Sequence, residues 1–151
     1  MISLRHVSAA LLLALVSACA APSWQSVPQP DLAAPVAADR CRVVLVREGK
    51  LVGRVREVRV YEGEAQIGAL GENGFLVWER PAQRGMGRVV FSGYDLDGGP
   101  VENVFDLPRE GGTTSWFAIR LRDGDRKPIV EQVPAEEGQA LVADRDPAEL
   151  R

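Results

Sequence analysis

Apolar and polar positions divide the chain into three stretches of different character. Residues 9–16 are an uninterrupted apolar run. Residues 20–39 show neither a helical nor a strand period and are built mainly from Ala, Pro, Ser and Gln, with prolines at 22, 28, 30 and 35. From Arg40 onward, short runs rich in Val, Ile, Phe and Trp alternate with Gly-rich breaks, which is the pattern of an all-β domain.

Within that third stretch the alternation predicts about eight short strands. Residues 41–46 are apolar on both faces, as in a central strand. Residues 55–61 and 65–70 flank the tight turn Glu62-Gly63-Glu64, and Asn73-Gly74, which tolerates positive φ, precedes a strand over 75–78. Further strands fall over 88–94, 101–107, 114–121 and 129–133, with Asp95-Leu96-Asp97-Gly98-Gly99-Pro100 the strongest turn signal. Pro134 suits the first turn of a helix over 135–143, which Gly138 weakens. Strands of this length and spacing predict a small β-sandwich, or a partly open barrel, with a short C-terminal helix. The resulting division is a leader over 1–18, a tether over 19–39, a sandwich over 40–134, and a short helix with a polar tail over 135–151.

The apolar run at the start changes the picture of where this domain resides. Arg5 and His6 precede it and small residues follow, the layout of a secretory signal. It is shorter than the ~20 residues needed to span a bilayer. Val16-Ser17-Ala18-Cys19 resembles the lipobox of bacterial lipoproteins, with the cysteine at the end of the apolar run. The resemblance implies cleavage before Cys19 and acylation of that residue. Several acyl chains give stable anchoring where one chain is marginal. With Ala20 rather than Asp after the cysteine, it also implies the outer membrane, facing the periplasm. The competing reading is a secreted or periplasmic soluble protein, cut after Ala20. The Pro-rich stretch then spaces the domain from the membrane, and Trp24 near the anchor suits an interfacial position.

Composition narrows the chemistry. The chain has 151 residues and a formal charge of −3; removing Arg5 with the leader leaves −4, which argues against general nucleic-acid binding. His6 is the sole histidine and leaves with the leader, so the mature chain has no Ser-His or Cys-His pair and lacks the commonest general base and metal ligand. With Cys19 acylated, Cys41 has no partner within the chain; it is expected to be buried at a strand start, with an intermolecular disulfide as the alternative. Asp95 and Asp97 fail the calcium-loop pattern, because Gly99 stands where an oxygen ligand is needed. No cofactor or metal site is expected.

A longer resemblance covers most of residues 41–142. Val58-Arg59-Val60-Tyr61-Glu62-Gly63-Glu64-Ala65-Gln66-Ile67-Gly68-Ala69-Leu70 resembles the conserved hairpin of a lipoprotein-borne bacterial domain of unknown function, itself similar to PEGA-type modules. Asn73-Gly74-Phe75, the Gly111-Gly112 pair before Trp116-Phe117, and Pro128-Ile129-Val130-Glu131 before a Glu-rich helix containing Leu141 agree in order. The chain departs from the pattern at Pro81–Gly87, which is longer and lacks the family's Pro-Gly and histidine. The resemblance implies a small β-sandwich and supplies no catalytic residues.

Two surface features remain as candidates. Trp78 and Trp116 are potential stacking platforms for a glycan such as peptidoglycan, against the alternative that they fill the core. By alternation Trp116 is either exposed or packed on the C-terminal helix. Residues 40–59 carry Arg40, Arg42, Arg47, Lys50, Arg54, Arg56 and Arg59 against Glu48 and Glu57, whereas residues 131–151 carry six acids against Arg145 and Arg151. Either the first hairpin and the C-terminal elements neutralise one another, or Arg54, Arg56 and Arg59 face lipid headgroups. The sequence thus predicts a non-catalytic envelope lipoprotein with a lipid-anchored binding or structural module, its partner an envelope protein or peptidoglycan. The alternatives are a glycan-binding module and a small periplasmic hydrolase inhibitor acting through the Pro81–Gly87 loop.

Overall fold

The computed structural model describes residues 29–48, 57–91, 101–120, 128–143 and 145–148. The strands are β1 (Arg40–Arg47), β2 (Val58–Glu62), β3 (Ala65–Leu70), β4 (Gly74–Pro81), β5 (Met86–Phe91), β6 (Val101–Asp106), β7 (Thr114–Arg120) and β8 (Ile129–Val133). Helix α1 (Ala135–Val142) follows, and then a two-residue strand, β9 (Asp146–Pro147). They form two facing sheets, one in the order β8-β7-β1-β4-β9 and the other in the order β3-β2-β5-β6. The chain is therefore a small all-β sandwich with one short helix.

The turn chemistry places the β2–β3 hairpin where expected. Gly63 has φ +56°, a conformation that costs a side-chain-bearing residue energy. The pairing closes Glu62 on Ala65, with a register shift between Val60 and Tyr61. β1 and β2 do not pair as a hairpin, however. β1 and β2 lie in different sheets, and β1 pairs instead with β4 antiparallel and β7 parallel. The parallel pairing sets Arg42 opposite Thr114. Nothing local in the sequence marks a contact between such distant segments.

Two apolar layers explain why β1 is buried along almost its whole length. Val43 and Leu45 point between the sheets, into a core with Val58, Val60, Leu70, Val89, Phe91, Phe105, Phe117 and Ile119. Val44 and Val46 point outward, into a second cluster with Val77, Trp116, Ala118 and Val133. Outward apolar residues on a sheet need a cover, and α1 supplies one through Leu141 and Val142. The rest comes from Leu32. Residues 29–39, expected as tether, thus lie as a strap against the sheet.

Polar contacts hold the strap in place. Arg42 is 2% exposed; it donates to Glu79 Oε1 at 2.6 Å and to the Ala34 and Leu32 carbonyls at 2.8 and 3.2 Å. Gln29 donates to the Ala148 carbonyl at 3.1 Å and accepts from the Val77 N–H at 3.2 Å. With β9 pairing at Gly74 and Phe75, Gln29 helps cover the outer edge of β4, where an open strand edge is otherwise prone to pair with another chain.

Candidate functional site

The structure sorts the residues singled out from the sequence. Cys19, Trp24, Arg54, Arg56, Asp95 and Asp97 lie outside the described residues. Trp116 is 6% exposed and packs beneath α1, where Gly138 comes so close that a Cβ there would lie 2.5 Å from the indole ring. Exposure as a stacking platform is therefore excluded for Trp116, because the helix occupies its face. Trp78 is half-buried and packs against the inter-sheet core; its Nε1–H donates to Glu62 Oε2 at 3.0 Å. Arg59 on β2 pairs with Glu57 at 3.1 Å, and that hydrogen bond raises its pKa.

Of the four described basic residues over 40–59, two are turned inward and two, Arg40 and Arg59, remain substantially exposed. Arg42 and Arg47 are buried, and Arg40 and Arg42 converge on Glu79. Burial lowers the Arg47 pKa, an effect that Glu72 partly offsets. Two of the C-terminal acids, Glu131 and Glu137, meet an arginine outside residues 40–59. Arg120 on β7 is hydrogen-bonded to Glu137 and Glu48, and to Glu131 at 2.6 Å; the bond to Glu137 contributes most to raising its pKa. Cys41 is fully buried and free. Its S–H faces the Pro108 carbonyl at 3.3 Å, leaving no surface for an intermolecular disulfide.

The loop expected over Pro81–Gly87 is shorter than its sequence suggests. β4 runs on to Pro81 and β5 begins at Met86. The connecting residues 82–85 are held down by Arg80, a residue that sequence reasoning missed. Arg80 is 3% exposed; its Nε–H donates to Glu62 Oε1 at 2.8 Å, and Nη1 donates to the Gln83 and Pro108 carbonyls at 2.7 and 2.9 Å. Burial alone would lower its pKa, but the hydrogen bonds to Glu62 and Cys41 prevail and raise it. The one signal in the sequence was a charged residue in a strand otherwise apolar on its inward face.

Arg80 ties two loops together at one end of the sandwich. The Leu107 N–H donates to the Gly85 carbonyl at 3.1 Å, and the Gly112 N–H to the Arg40 carbonyl at 2.8 Å. Thr113 Oγ1 closes the segment by donating to the Glu110 carbonyl at 2.7 Å. The segment over 107–113 walls a cleft of about 280 Å³ between the end of β6, the start of β7 and β8. Its floor is Phe117, whose ring packs against Phe105 with centroids 5.0 Å apart. Asp106, Arg109, Glu110, Ser115 and Gln132 line it. Loops gathered at the end of a rigid sandwich are the usual place for a binding site in this architecture.

Among the described residues no group of three or more His, Cys, Asp or Glu side chains is placed to hold a metal ion. Comparison of the chain with protein-family models, with curated proteins and with solved structures finds no match.

Proposed function

We propose that this chain is a bacterial envelope lipoprotein, anchored through acylated Cys19, whose β-sandwich is a non-catalytic binding or structural module. The observation that carries the reading is the Val16-Ser17-Ala18-Cys19 motif at the end of an apolar run that follows a basic start. The absence of histidine after His6 supports a non-catalytic role, since the commonest general base is missing from the mature chain. The docked strap adds a geometric consequence. With the chain held at Gln29, nine residues lie between it and Cys19, a path of ten Cα–Cα steps. Fully extended they reach about 35 Å. The sandwich therefore works within roughly one domain diameter of the bilayer.

The test is metabolic labelling with a tagged fatty acid, followed by fractionation of wild type and Cys19→Ala. The wild type is expected to carry label and sediment with membranes, and the variant to lose both. A Cys19→Ala protein that still takes up label and stays membrane-bound would sink the anchor.

A further inference from the structure

The strap lies against the sheet without joining it. Among the described residues, no backbone N–H of residues 29–36 donates to a strand. The Ala34 N–H donates instead to the Asp31 carbonyl at 3.1 Å, and the Ala33 N–H to Asp31 Oδ1 at 2.9 Å, both within the strap. Side chains do the holding. Gln29 bonds the Val77 N–H and the Ala148 carbonyl, Arg42 bonds the Leu32 and Ala34 carbonyls, and Leu32, half-buried, packs on the outer apolar cluster. Asp31, Ala33 and Pro35 are exposed. An open groove of about 260 Å³ runs between Leu32 and Ala33 on one side and Gln139, Val142 and Ala143 on the other, so the strap and the helix do not close on each other.

These attachments can be released without stranding a polar group. Arg42 keeps Glu79 through Nε at 3.1 Å and Nη2 at 2.6 Å, while its Nη1 turns to water. The Val77 N–H leaves the outer edge of β4 and is solvated there in the same way. Four hydrogen bonds and one half-buried leucine are set against the backbone entropy of ordering eight residues, so docking is finely balanced. Segments with so few buried contacts open at the low end of a protein's stability range. From Ala37 onward the backbone itself holds the chain. The Ala37 carbonyl accepts from the Arg40 and Gly112 N–H groups at 3.0 and 3.1 Å, and the Asp39 carbonyl from the Ala82 N–H at 2.9 Å.

The strap stands in series with the anchor proposed at Cys19, so its state sets how far the sandwich can stand from the bilayer. With the strap docked, the free chain is the ten steps that end at Gln29, about 35 Å. With it released, the first fixed point is Ala37, eighteen steps from Cys19, about 60 Å. We propose that residues 29–36 are a releasable reserve of tether, docked while the sandwich works near the bilayer and undocked when it engages a target beyond about 35 Å. This goes beyond the binding-module reading; it rests on the anchor for the change in reach and not for the release itself. The coupling is reciprocal, so a change that weakens docking favours distant targets by the same factor.

The test uses the mature lipidated protein in detergent micelles, with nitroxides on Ala33→Cys and Ala140→Cys, both exposed positions, while the buried Cys41 stays unlabelled. Leu32→Ser and Gln29→Ala each remove one attachment and are expected to raise the ratio of long to short inter-label distances, by about tenfold and about fivefold. In the unlabelled wild type the Val77 amide, whose acceptor is Gln29, is expected to exchange about a hundredfold or more faster than the amides of β1. Slow β1 amides in both variants show an intact sandwich; should Leu32→Ser lose them, Gln29→Ala decides. Distances unchanged in the variants, or a Val77 amide as slow as those of β1, would overturn the proposal. In nanodiscs bearing an acceptor lipid, energy transfer from a dye on Ala140→Cys is expected to fall in Leu32→Ser relative to wild type; equal transfer would overturn the control of reach. Fatty-acid labelling reports on the anchor separately, because neither the distances nor the amide exchange depend on acylation.

Discussion

Replacing Gly138 by alanine sets two effects of opposite sign against each other. In a helix interior, Gly→Ala normally stabilises by about 1 kcal/mol through backbone entropy. Here the new Cβ would lie 2.5 Å from Cε3, 2.6 Å from Cδ2 and 2.7 Å from Cβ of Trp116. Carbon atoms prefer separations of about 3.5–4.0 Å, so α1 must lift from the sheet by about 1 Å. Lifting thins the contacts that Leu141 and Val142 make with the outer apolar cluster. Overpacking costs about 1–3 kcal/mol, and three simultaneous overlaps with a buried side chain, two of them with its ring, place this case near the top of that range. The net is a loss of about 2 kcal/mol, or a melting temperature lower by about 8–16 °C for a domain of this size. Urea unfolding of the mature protein, followed by far-UV circular dichroism, measures it. A Trp116→Leu background removes the two ring overlaps and keeps only the one with Cβ, so Gly138→Ala is expected to cost clearly less there, giving a coupling of about 1–2 kcal/mol. Wild-type or higher stability of Gly138→Ala in the native background would refute the reasoning.

Other consequences follow from the same packing. Arg80→Met leaves the Gln83 carbonyl without its donor, the Pro108 carbonyl with the Cys41 S–H alone, and Glu62 with the Trp78 N–H but no charged partner, so a loss of about 3 kcal/mol is expected in urea unfolding; a change below about 1 kcal/mol would show that Arg80 does not pin the loops. Arg120→Met leaves Glu48, Glu131 and Glu137 facing one another at a partly exposed site, and is expected to cost about 1 kcal/mol in low salt and clearly less in 1 M salt; a salt-independent loss would mean that packing, not charge, is at stake. Thiol titration of the native lipidated protein is expected to find no fast-reacting cysteine and to find one after denaturation, because Cys41 is buried and an acylated Cys19 carries no thiol. A second thiol on denaturation would argue against acylation, and a fast one in the native state against the burial of Cys41.

Strand positions were legible in the linear pattern because a strand shows its burial within a few residues. The Val-rich, two-faced run of β1 announced a central strand, and Glu62-Gly63-Glu64 announced a turn whose glycine has positive φ. The motif proposed as the anchor is equally local, four consecutive residues at the end of one apolar run. Partnership between strands was not legible. The parallel pairing of β1 with β7 and the separation of β1 from β2 into different sheets depend on contacts between distant segments, which leave no local mark.

The side-chain roles that mattered most depended on those same distant contacts. Arginines at 42, 47 and 80 read as surface charge in a linear sequence, because an arginine is normally solvated. Their burial follows from carboxylates and carbonyls that the fold brings to them, with Glu79 and the strap carbonyls around Arg42, and Glu62, Gln83 and Pro108 around Arg80. Gly138 looked like a weakness in a helix and proves to be the residue that lets the helix approach Trp116. The cleft is absent from the sequence for the same reason, since its lining comes from β6, β7, β8 and the connecting loop. Local sequence specifies which segments are apolar and where they turn, whereas desolvated charges and concave surfaces exist only once separate segments meet.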